Sequence, residues 1–444
     1  MRPVQLWFER ALLPEGWASH VRFRFPEGLP PAIEAGVAKS ADDEIHAIAV
    51  PGLANLHSHA FQRAMAGLTE TAGPSSDDFW TWREMMYRFA NRIGPDDLEV
   101  IAALAYMEML ESGFTRVGEF HYLHRSPDGS AYADPAEMSA RIAAAAAETG
   151  IGLTLLPVFY AHSGFGGAAP NAAQKRFVQS IDEYAVLSAR CREHLKSSPG
   201  AVLGLAPHSL RAVTPDELAE LEQLPGPLHI HVAEQTKEVD DCIAWSGLRP
   251  VQWLLDHASV DARWCLVHAT QMDEAETKAL AESGAVAGLC PITEANLGDG
   301  VFPLSEYLAA KGRFGIGSDS NVRIDLCEEL RLLEYGQRLA RHRRNVVAAR
   351  ERQSSGGVVF RAALAGGRQA LGGVEFDLVS LDASHPALEG REGDALLDSW
   401  IFAAAGNVID CVWRNGRKLV ANGRHRDRVR IAARYRQALR RLLS

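Results

Sequence analysis

Residues 264–292, WCLVHATQMDEAETKALAESGAVAGLCPI, contain in one stretch the unit from which most of this chain is built. The two ends, 264–270 and 284–292, are short apolar segments rich in β-forming residues, as buried strands are. Between them, DEAETKALAESG (273–284) opens with acidic residues and closes on glycine, which are the preferences of a helix N-terminus and C-cap. The stretch therefore predicts a strand–helix–strand unit.

The same alternation extends in both directions from this stretch. Six more apolar segments occur, separated by helix-like stretches such as DDLEVIAALAYMEMLESG (96–113). The segments cover 49–59, 113–122, 152–162, 201–210, 227–235 and 312–321. Strands that alternate with helices form a parallel sheet, and eight is the number that closes a barrel. We therefore expect an α/β fold whose main part, residues 49–375, is a (β/α)₈ TIM-type barrel.

The two ends of the chain have a different pattern. Residues 1–48 contain the strand-like VRFRF (21–25), and residues 376–444 contain FDLVSLD (376–382) and VIDCVWRNGRKLVANGR (408–424). The last of these alternates apolar and polar residues around Asn-Gly, which is typical of a hairpin. Neither end is large enough to fold alone, so we predict that both build one small β-sandwich domain. RIAARYRQALRRLL (430–443) is predicted to be an amphipathic C-terminal helix.

Composition excludes several classes of function. The chain has 444 residues and a formal net charge of −10, which disfavours a nucleic-acid-binding protein. Its six cysteines are scattered without a CxxC pair, as in a reduced cytoplasmic protein. No apolar run resembles a signal peptide or a membrane span, so we expect a cytoplasmic protein without a membrane partner.

Histidines and one aspartate lie at the ends of three predicted strands. His57 and His59 are two residues apart, so on a strand both side chains lie on one face. His231 ends the fifth strand and Asp319 the eighth, where barrel enzymes place catalytic residues. Three imidazoles and a carboxylate suit one divalent ion, Zn²⁺ best, with Fe²⁺ or Mn²⁺ also possible. His229 lies one step deeper on the strand and is predicted to be a core or supporting histidine. The fourth segment offers no Lys or Glu to bridge a second ion.

Two further residues are placed to act on a water held at such an ion. Glu234 follows His231 just beyond the strand and can move a proton between the water and a leaving group. His268 ends the sixth strand, where it can polarise the reacting group or stabilise an intermediate. With Asp319, they form the predicted catalytic set.

The order of these motifs resembles the amidohydrolase superfamily. The motifs are PGLANLHSH (51–59), HIHVAE (229–234), VHAT (267–270) and GSDS (317–320). The predicted fourth strand has no lysine, and in this respect the chain resembles the mononuclear aminohydrolase branch. Enzymes of that branch release ammonia from C–NH₂ or C=NH centres. Within that branch, the loops resemble the formimidoylglutamate deiminase family of histidine degradation. The similar segments are HSHAFQRAMAG (57–67), FWTWREMMY (79–87), GEFHYLH (118–124), APHSLRAV (206–213) and LEYGQRLARHRRN (333–345).

This resemblance implies hydrolysis of N-formimidoyl-L-glutamate to N-formyl-L-glutamate and ammonia, by a homodimer. It also implies that Gln62, Tyr122 and His208 contact the substrate. A dicarboxylate bound by an acidic protein needs local arginines, because their planar forks bind carboxylates in bidentate fashion. Arg83 and Arg211 lie in loops that open at the barrel mouth, although Arg63 could compete for the same role.

Two other functions remain open from the sequence. Phe79, Trp80 and Trp82 could stack on a heterocycle, as in a deaminase of guanine-, adenosine- or triazine-like substrates. A non-catalytic scaffold could also keep the barrel, since fold alone does not determine function. Such a scaffold usually loses metal ligands, whereas this chain has the full set.

Overall fold

The computed structural model describes residues 4–26, 30–72, 79–373 and 376–444. Its strands are β1 (Val4–Leu13), β2 (Gly16–Phe25), β3 (Ala32–Glu34), β4 (Glu44–Pro51), β5 (Leu53–Ser58), β6 (Phe114–His121), β7 (Gly152–Phe159), β8 (Val202–Leu203), β9 (Ala206–Pro207), β10 (Leu228–Val232), β11 (Trp264–His268), β12 (Val286–Leu289), β13 (Arg313–Ile316), β14 (Leu378–Leu381), β15 (Ile409–Arg414), β16 (Arg417–Ala421) and β17 (Arg424–His425). Its helices are α1 (Phe79–Ala90), α2 (Pro95–Ser112), α3 (Glu137–Thr149), α4 (Ile181–Leu195), α5 (Pro215–Glu222), α6 (Thr236–Ser246), α7 (Pro250–His257), α8 (Glu274–Ser283), α9 (Pro291–Leu297), α10 (Leu304–Ala309), α11 (Leu326–Arg341), α12 (Ser355–Leu371), α13 (Asp394–Phe402) and α14 (Arg428–Leu443). Short 3₁₀ helices cover Ala60–Met65, Ala172–Gln174 and Pro386–Leu388.

The central sheet is a curled parallel sheet in the order β10-β11-β12-β13-β5-β6-β7-β8, with β9 also paired to β7. Parallel bridges from Leu205 to Leu228 and from Ser209 to His231 join the fourth-strand region to β10 and complete the ring. The predicted barrel is therefore confirmed. Strands β5, β6, β7 and β10 are buried along their whole length, because helices cover the outside and side chains fill the inside.

The fourth strand differs from the single predicted segment at 201–210. It consists of two short pieces, β8 and β9, on either side of Gly204 and Leu205. The backbone changes partner between them, since Gly204 N donates to Leu155 O and Leu205 N donates to Pro227 O. A Cβ at Gly204 would lie 2.8 Å from the Pro227 carbonyl oxygen, so this change of partner needs glycine.

Strands from both ends of the chain form a second sheet, in the order β17-β16-β15-β14-β4-β1-β2-β3. The two ends meet where β14 pairs antiparallel with β4, with Val379 opposite Val50. A separate core that includes Leu6, Phe8 and Trp413 packs within this part of the chain. These features agree with the predicted small β-domain. Residues 49–51 belong to β4, and only Gly52 separates β4 from the first barrel strand.

The predicted hairpin near the C-terminus is confirmed. Asn415 and Gly416 join β15 to β16 with φ values of 48° and 78°. Positive φ at both central residues is the geometry that makes Asn-Gly favourable in a two-residue turn. The predicted C-terminal helix is α14, which packs on α2 of the barrel through buried Ile431 and Leu442. No helix among the described residues is long and apolar enough to cross a membrane.

Helix α12 packs closely against β13 because glycines remove side chains at the contact. A Cβ at Gly366 would lie 1.8 Å from the Phe314 carbonyl oxygen, and backbone cannot move aside as a flexible side chain can. Helix α12 thereby covers the barrel directly beneath β13, the strand that leads to Asp319.

We expect Gly366→Ala to lower the free energy of unfolding by about 2–3 kcal/mol or more, because the helix must move off the sheet. Gly336→Ala in α11 is the matched control, since the nearest atom to its new Cβ is Val301 Cγ1 at 3.4 Å. That variant should be up to about 1 kcal/mol more stable, as alanine is favoured within helices. Urea unfolding of both variants measures the difference, and equal stabilities would contradict it.

Candidate active site

Four potential metal ligands converge at the carboxyl ends of three barrel strands. His57 lies near the end of β5 and His59 just after it, His231 lies in β10, and Asp319 follows β13. His57 Nε2 lies 3.2 Å from His59 Nε2 and 3.0 Å from His231 Nε2. Asp319 Oδ1 lies 3.4 Å from His57 Nε2 and 3.2 Å from His59 Nε2. All four side chains are buried, and one ligand atom from each lies within 4.8 Å of the others.

The donor set fits a single divalent ion. Ligand atoms about 2.1 Å from a tetrahedral ion are about 3.4 Å apart, close to the observed spacing. In two of the three imidazole rings, a hydrogen bond at Nδ1 orients Nε2 toward the centre of the ligand cluster. His59 Nδ1 contacts the Phe120 carbonyl oxygen at 2.8 Å, and His231 Nδ1 contacts the His208 carbonyl oxygen at 3.0 Å. Such contacts fix the ring orientation and leave Nε2 to bind a metal.

Burial also favours the protonation states that metal ligands need. It lowers the pKa of His57 to about 3 and holds the pKa of His231 well below its usual value. Burial alone would raise the pKa of Asp319, but hydrogen bonds with His57 and His59 outweigh it and lower that pKa. Neutral imidazoles and a charged carboxylate are the forms that donate electron pairs to an ion.

The three predicted catalytic side chains lie around one point beside this cluster. His268 Nε2 is 3.6 Å from Glu234 Oε1 and 3.9 Å from Asp319 Oδ2. Burial raises the pKa of Glu234, as suits a group that must both take up and release a proton. Burial would lower the pKa of His268, but the carboxylates of Glu234, Glu294 and Asp319 raise it to about 10.

The backbone is strained where these side chains are presented. Ala233, His268 and Asp319 have φ values of 51°, 69° and 44°, which residues other than glycine rarely adopt. Each such residue costs on the order of 1–3 kcal/mol and persists only where surrounding structure holds it. Three such residues lie near the carboxyl ends of β10, β11 and β13, so the surrounding structure holds the backbone of the barrel mouth in a strained conformation.

The predicted catalytic side chains share a cavity of about 540 Å³, including space open to solvent, with all the predicted substrate contacts. Those predicted contacts are Gln62, Arg83, Tyr122, His208 and Arg211. Gln62 Nε2 donates to the Tyr122 hydroxyl at 2.8 Å, so these two are held together. Sequence reasoning missed Tyr87, Tyr160 and Phe177, which also line the cavity.

Three cations gather around the indole ring of Trp80, and two of them, Arg83 and Arg211, also line the cavity. The guanidinium carbons of Arg83 and Arg211 lie 5.4 and 5.7 Å from the centre of the Trp80 ring, and Lys237 Nζ lies at 5.8 Å. Arg83 also donates to the Tyr160 hydroxyl at 3.2 Å. Arg83 and Arg211 therefore bring positive charge to the cavity lining, and Glu234 and Asp319 bring negative charge, although Arg211 Nη2 also lies 4.0 Å from the buried Glu238 Oε2. Lys237 was missed because one lysine on an exposed helix gives no sequence signal.

Two residues considered from the sequence lie elsewhere. Arg63 pairs with Glu108, at 2.7 Å from Nε to Oε2, and donates to the Asn321 and Val322 carbonyl oxygens. It does not line the cavity, so it does not compete with Arg83 and Arg211 there. His229 is buried and bonds to the Ala370 carbonyl oxygen at 2.8 Å, which agrees with the predicted core role.

Two carboxylates after β12 were not predicted. Glu294 in α9 contacts His268 Nδ1 through Oε1 at 3.2 Å, and Asp299 belongs to a buried cluster with Glu234 and His268. Asp299 also accepts a hydrogen bond from Gln235 Nε2. The seventh strand carries no histidine or aspartate at its end, so no strand-end signal points to the helix that follows it.

Comparison with known families agrees with this geometry. Residues 48–419 match the model described as the amidohydrolase family, and residues 6–47 match the model of the formimidoylglutamate deiminase HutF N-terminal domain. The chain belongs to the amidohydrolase family. The fold class and the resemblance inferred from its motifs are thereby confirmed.

Individual amidohydrolases give a finer comparison. The chain is 51% identical to formimidoylglutamate deiminase of Pseudomonas aeruginosa, over 99% of each chain. It is 29% identical to 5-methylthioadenosine/S-adenosylhomocysteine deaminase of Natronomonas pharaonis, over 76% of this chain and 74% of the relative. The crystal structure of an amidohydrolase from Brucella melitensis superposes with a TM-score of 0.96 at 55% identity, with full coverage of both chains. A zinc-bound adenosine deaminase from Xanthomonas campestris shares the fold, with a TM-score of 0.80 at 22% identity and coverage of 99% and 98%.

Proposed function

We propose that this chain hydrolyses N-formimidoyl-L-glutamate to N-formyl-L-glutamate and ammonia. The observation that carries the proposal is the 51% identity, over 99% of each chain, to an enzyme of that name. The match of residues 6–47 to the N-terminal domain of the same enzyme family supports it, because it lies outside the barrel. The reaction would belong to histidine degradation.

The charge distribution of the cavity supports this substrate. N-formimidoyl-L-glutamate carries a basic formamidine group on its α-nitrogen, one carboxylate on the neighbouring α-carbon and a second carboxylate at the end of its side chain. The cations around Trp80 suit the carboxylates, and planar guanidinium groups bind them in bidentate fashion. Glu234 and Asp319 line the same cavity, and their carboxylates suit the basic formamidine group. A cavity with charge of both signs therefore suits a substrate with charge of both signs.

The residues that would hold the metal ion are His57, His59, His231 and Asp319. A divalent ion bound there would lower the pKa of a water ligand toward neutrality and so make a nucleophile available. We propose zinc as that ion, since the donor set suits it and a structural relative is described with bound zinc. One ion for each chain is sufficient for this chemistry.

Glu234 is proposed to move the proton that the reaction requires. It accepts a proton as the water oxygen bonds to the formimidoyl carbon, and donates it to the terminal nitrogen. The proton that remains on the new hydroxyl group then passes to the same nitrogen by way of Glu234, so the nitrogen leaves as ammonia when its bond to carbon breaks and the C=O bond of the formyl group forms. Water has then supplied the formyl oxygen, and its protons are accounted for in ammonia.

His268 and Asp319 are proposed to stabilise the tetrahedral arrangement between these steps. His268 Nε2 faces the reacting centre and can donate a hydrogen bond to the oxygen that becomes the formyl oxygen. Asp319 Oδ2, on the same side as His268, can accept one from the incoming water. Buried donors and acceptors of this kind are effective because they do not reorganise during the reaction.

The alternative of a heterocycle deaminase is less well supported. The two deaminases of that class compared above are 29% and 22% identical to this chain, and Trp80 is surrounded by cationic side chains that suit a dianion. Two observations disfavour a non-catalytic scaffold. The chain belongs to a family of metal-dependent hydrolases, and its set of candidate metal ligands is complete. We propose that the protein is a homodimer, as the family resemblance implies, and that it is cytoplasmic, as its scattered cysteines indicate.

The test is ammonia release from N-formimidoyl-L-glutamate by the purified, zinc-loaded protein. We expect turnover at this substrate and none at guanine, adenosine or a triazine. Turnover of a heterocycle alone would overturn the proposal. Protein that holds one metal ion but releases no ammonia from any of these substrates would exclude both activities.

Arg83→Met and Arg211→Met should each raise KM for N-formimidoyl-L-glutamate by about 10- to 100-fold, because each removes a charged hydrogen bond to a carboxylate. Arg352→Met removes the same charge from a side chain that is 92% exposed and outside the cavity, and should leave KM within about twofold. Steady-state kinetics of the three variants measure this. Equal changes in KM for all three would show that net charge, and not direct contact, is responsible.

A further inference from the structure

Glu294 is a buried carboxylate in direct contact with the far side of the His268 ring. Its Oε1 lies 3.2 Å from His268 Nδ1, whereas His268 Nε2 faces Glu234. Glu294 is 4% exposed and His268 is 1% exposed, so water cannot replace this contact. The mechanism proposed above uses Nε2 of His268 and leaves open what holds the ring in place.

The same carboxylate oxygen is fixed by the backbone. Cys290 N donates to Glu294 Oε1 at 2.9 Å, so this oxygen accepts hydrogen bonds from two directions. Glu294 lies in the first turns of α9, where free backbone N–H groups favour a negative charge. The backbone N–H of Cys290, just before α9, therefore fixes the Glu294 carboxylate. The carboxylate can in turn fix the orientation of the His268 imidazole.

We propose that Glu294 is the positioning residue of His268: it accepts the Nδ1 proton and thereby fixes the ring with Nε2 toward the reacting carbon. This inference rests on the proposed function, because it assigns His268 a part in that reaction. The arrangement follows the general rule that a working imidazole is oriented by an acceptor on its other nitrogen. His268 needs such support, since its own backbone is strained at a φ of 69°.

The shared oxygen makes a specific prediction about two substitutions. In Glu294→Gln, Cys290 N–H requires an acceptor at the Oε1 position, so the amide oxygen and not the amide nitrogen should occupy it. That oxygen still accepts from His268 Nδ1. Glu294→Gln should therefore keep kcat within about tenfold of the native value, whereas Glu294→Ala should lower kcat by about 10- to 100-fold with little change in KM.

Glu329→Ala is the control for a purely structural role. Glu329 is 0% exposed and accepts a hydrogen bond from Ile292 N at 2.9 Å, so it anchors the same helix from α11. Its carboxylate is bonded to the backbone of α9 and not to His268. If Glu294 merely holds α9 in place, Glu329→Ala should lower kcat as much as Glu294→Ala does.

The experiment combines kinetics with nuclear magnetic resonance of the metal-loaded protein labelled with ¹⁵N-histidine. A hydrogen-bonded proton on His268 Nδ1, assigned by its loss in His268→Asn, should persist in Glu294→Gln and Glu329→Ala and disappear in Glu294→Ala. Retention of that proton and of native kcat in Glu294→Ala would overturn the inference. The spectrum can be recorded without turnover. If the protein does not act on N-formimidoyl-L-glutamate, the spectrum still tests whether Glu294 holds the His268 ring.

Discussion

Replacing Glu234 with glutamine should lower kcat for ammonia release about a thousandfold, while KM changes only a few-fold. Glutamine keeps the size of the side chain but cannot carry a proton from the water to the leaving nitrogen. General acid–base catalysis contributes about 10²- to 10⁴-fold in enzymes, and here one group is proposed to serve both steps. The proposed metal ligands are separate side chains, so we expect the variant to bind as much metal as the native protein.

Asp241→Asn provides the control for this substitution. It also removes one carboxylate near the mouth, but Asp241 pairs with Lys237 on the exposed side of α6, and its side chain is 43% exposed. Its kcat should stay within about twofold, as for most surface changes. Should Glu234→Gln retain a tenth or more of the native kcat, another group must move the proton, and the proposed mechanism would be wrong.

The sequence was sufficient to predict the barrel and the convergence of its strand ends. A strand end determines where a side chain lies in a closed parallel barrel, so strand assignment alone predicts that His57, His231 and Asp319 lie together. The Asn-Gly hairpin at 415–416 was equally accessible, because its geometry depends on two neighbouring residues.

Features that depend on contacts between distant elements could not be predicted. The contact of Glu294 with His268 joins α9 to β11, and the ring of cations at Trp80 joins α1, α6 and the region after β9. No periodic pattern encodes such contacts. The split of the fourth strand depends in the same way on backbone partners from β7 and from the residue before β10. Composition and spacing describe single elements, whereas these features arise only when elements pack.

Two histidines on β10 allow the metal site to be tested with almost matched substitutions. His231→Gln should abolish stoichiometric metal binding and lower kcat by at least about a thousandfold, because without the ion the water keeps its ordinary, far higher pKa. His229→Gln should retain one ion for each chain. His229 lies two residues away on the same buried strand, yet its Nε2 bonds to the Ala370 carbonyl oxygen, a bond that a glutamine amide can also make.

Metal content by mass spectrometry and ammonia release, measured on the same preparations, should change together. Removing the ion from the native protein with a chelator should abolish activity and lower the melting temperature, since an ion that binds only the folded state stabilises it. Adding zinc should restore both properties to native and His229→Gln protein but not to His231→Gln. Loss of metal from both variants would mean that the integrity of β10, and not ligation by His231, supports the site. Retention by both would show that His57, His59 and Asp319 are sufficient to hold the ion.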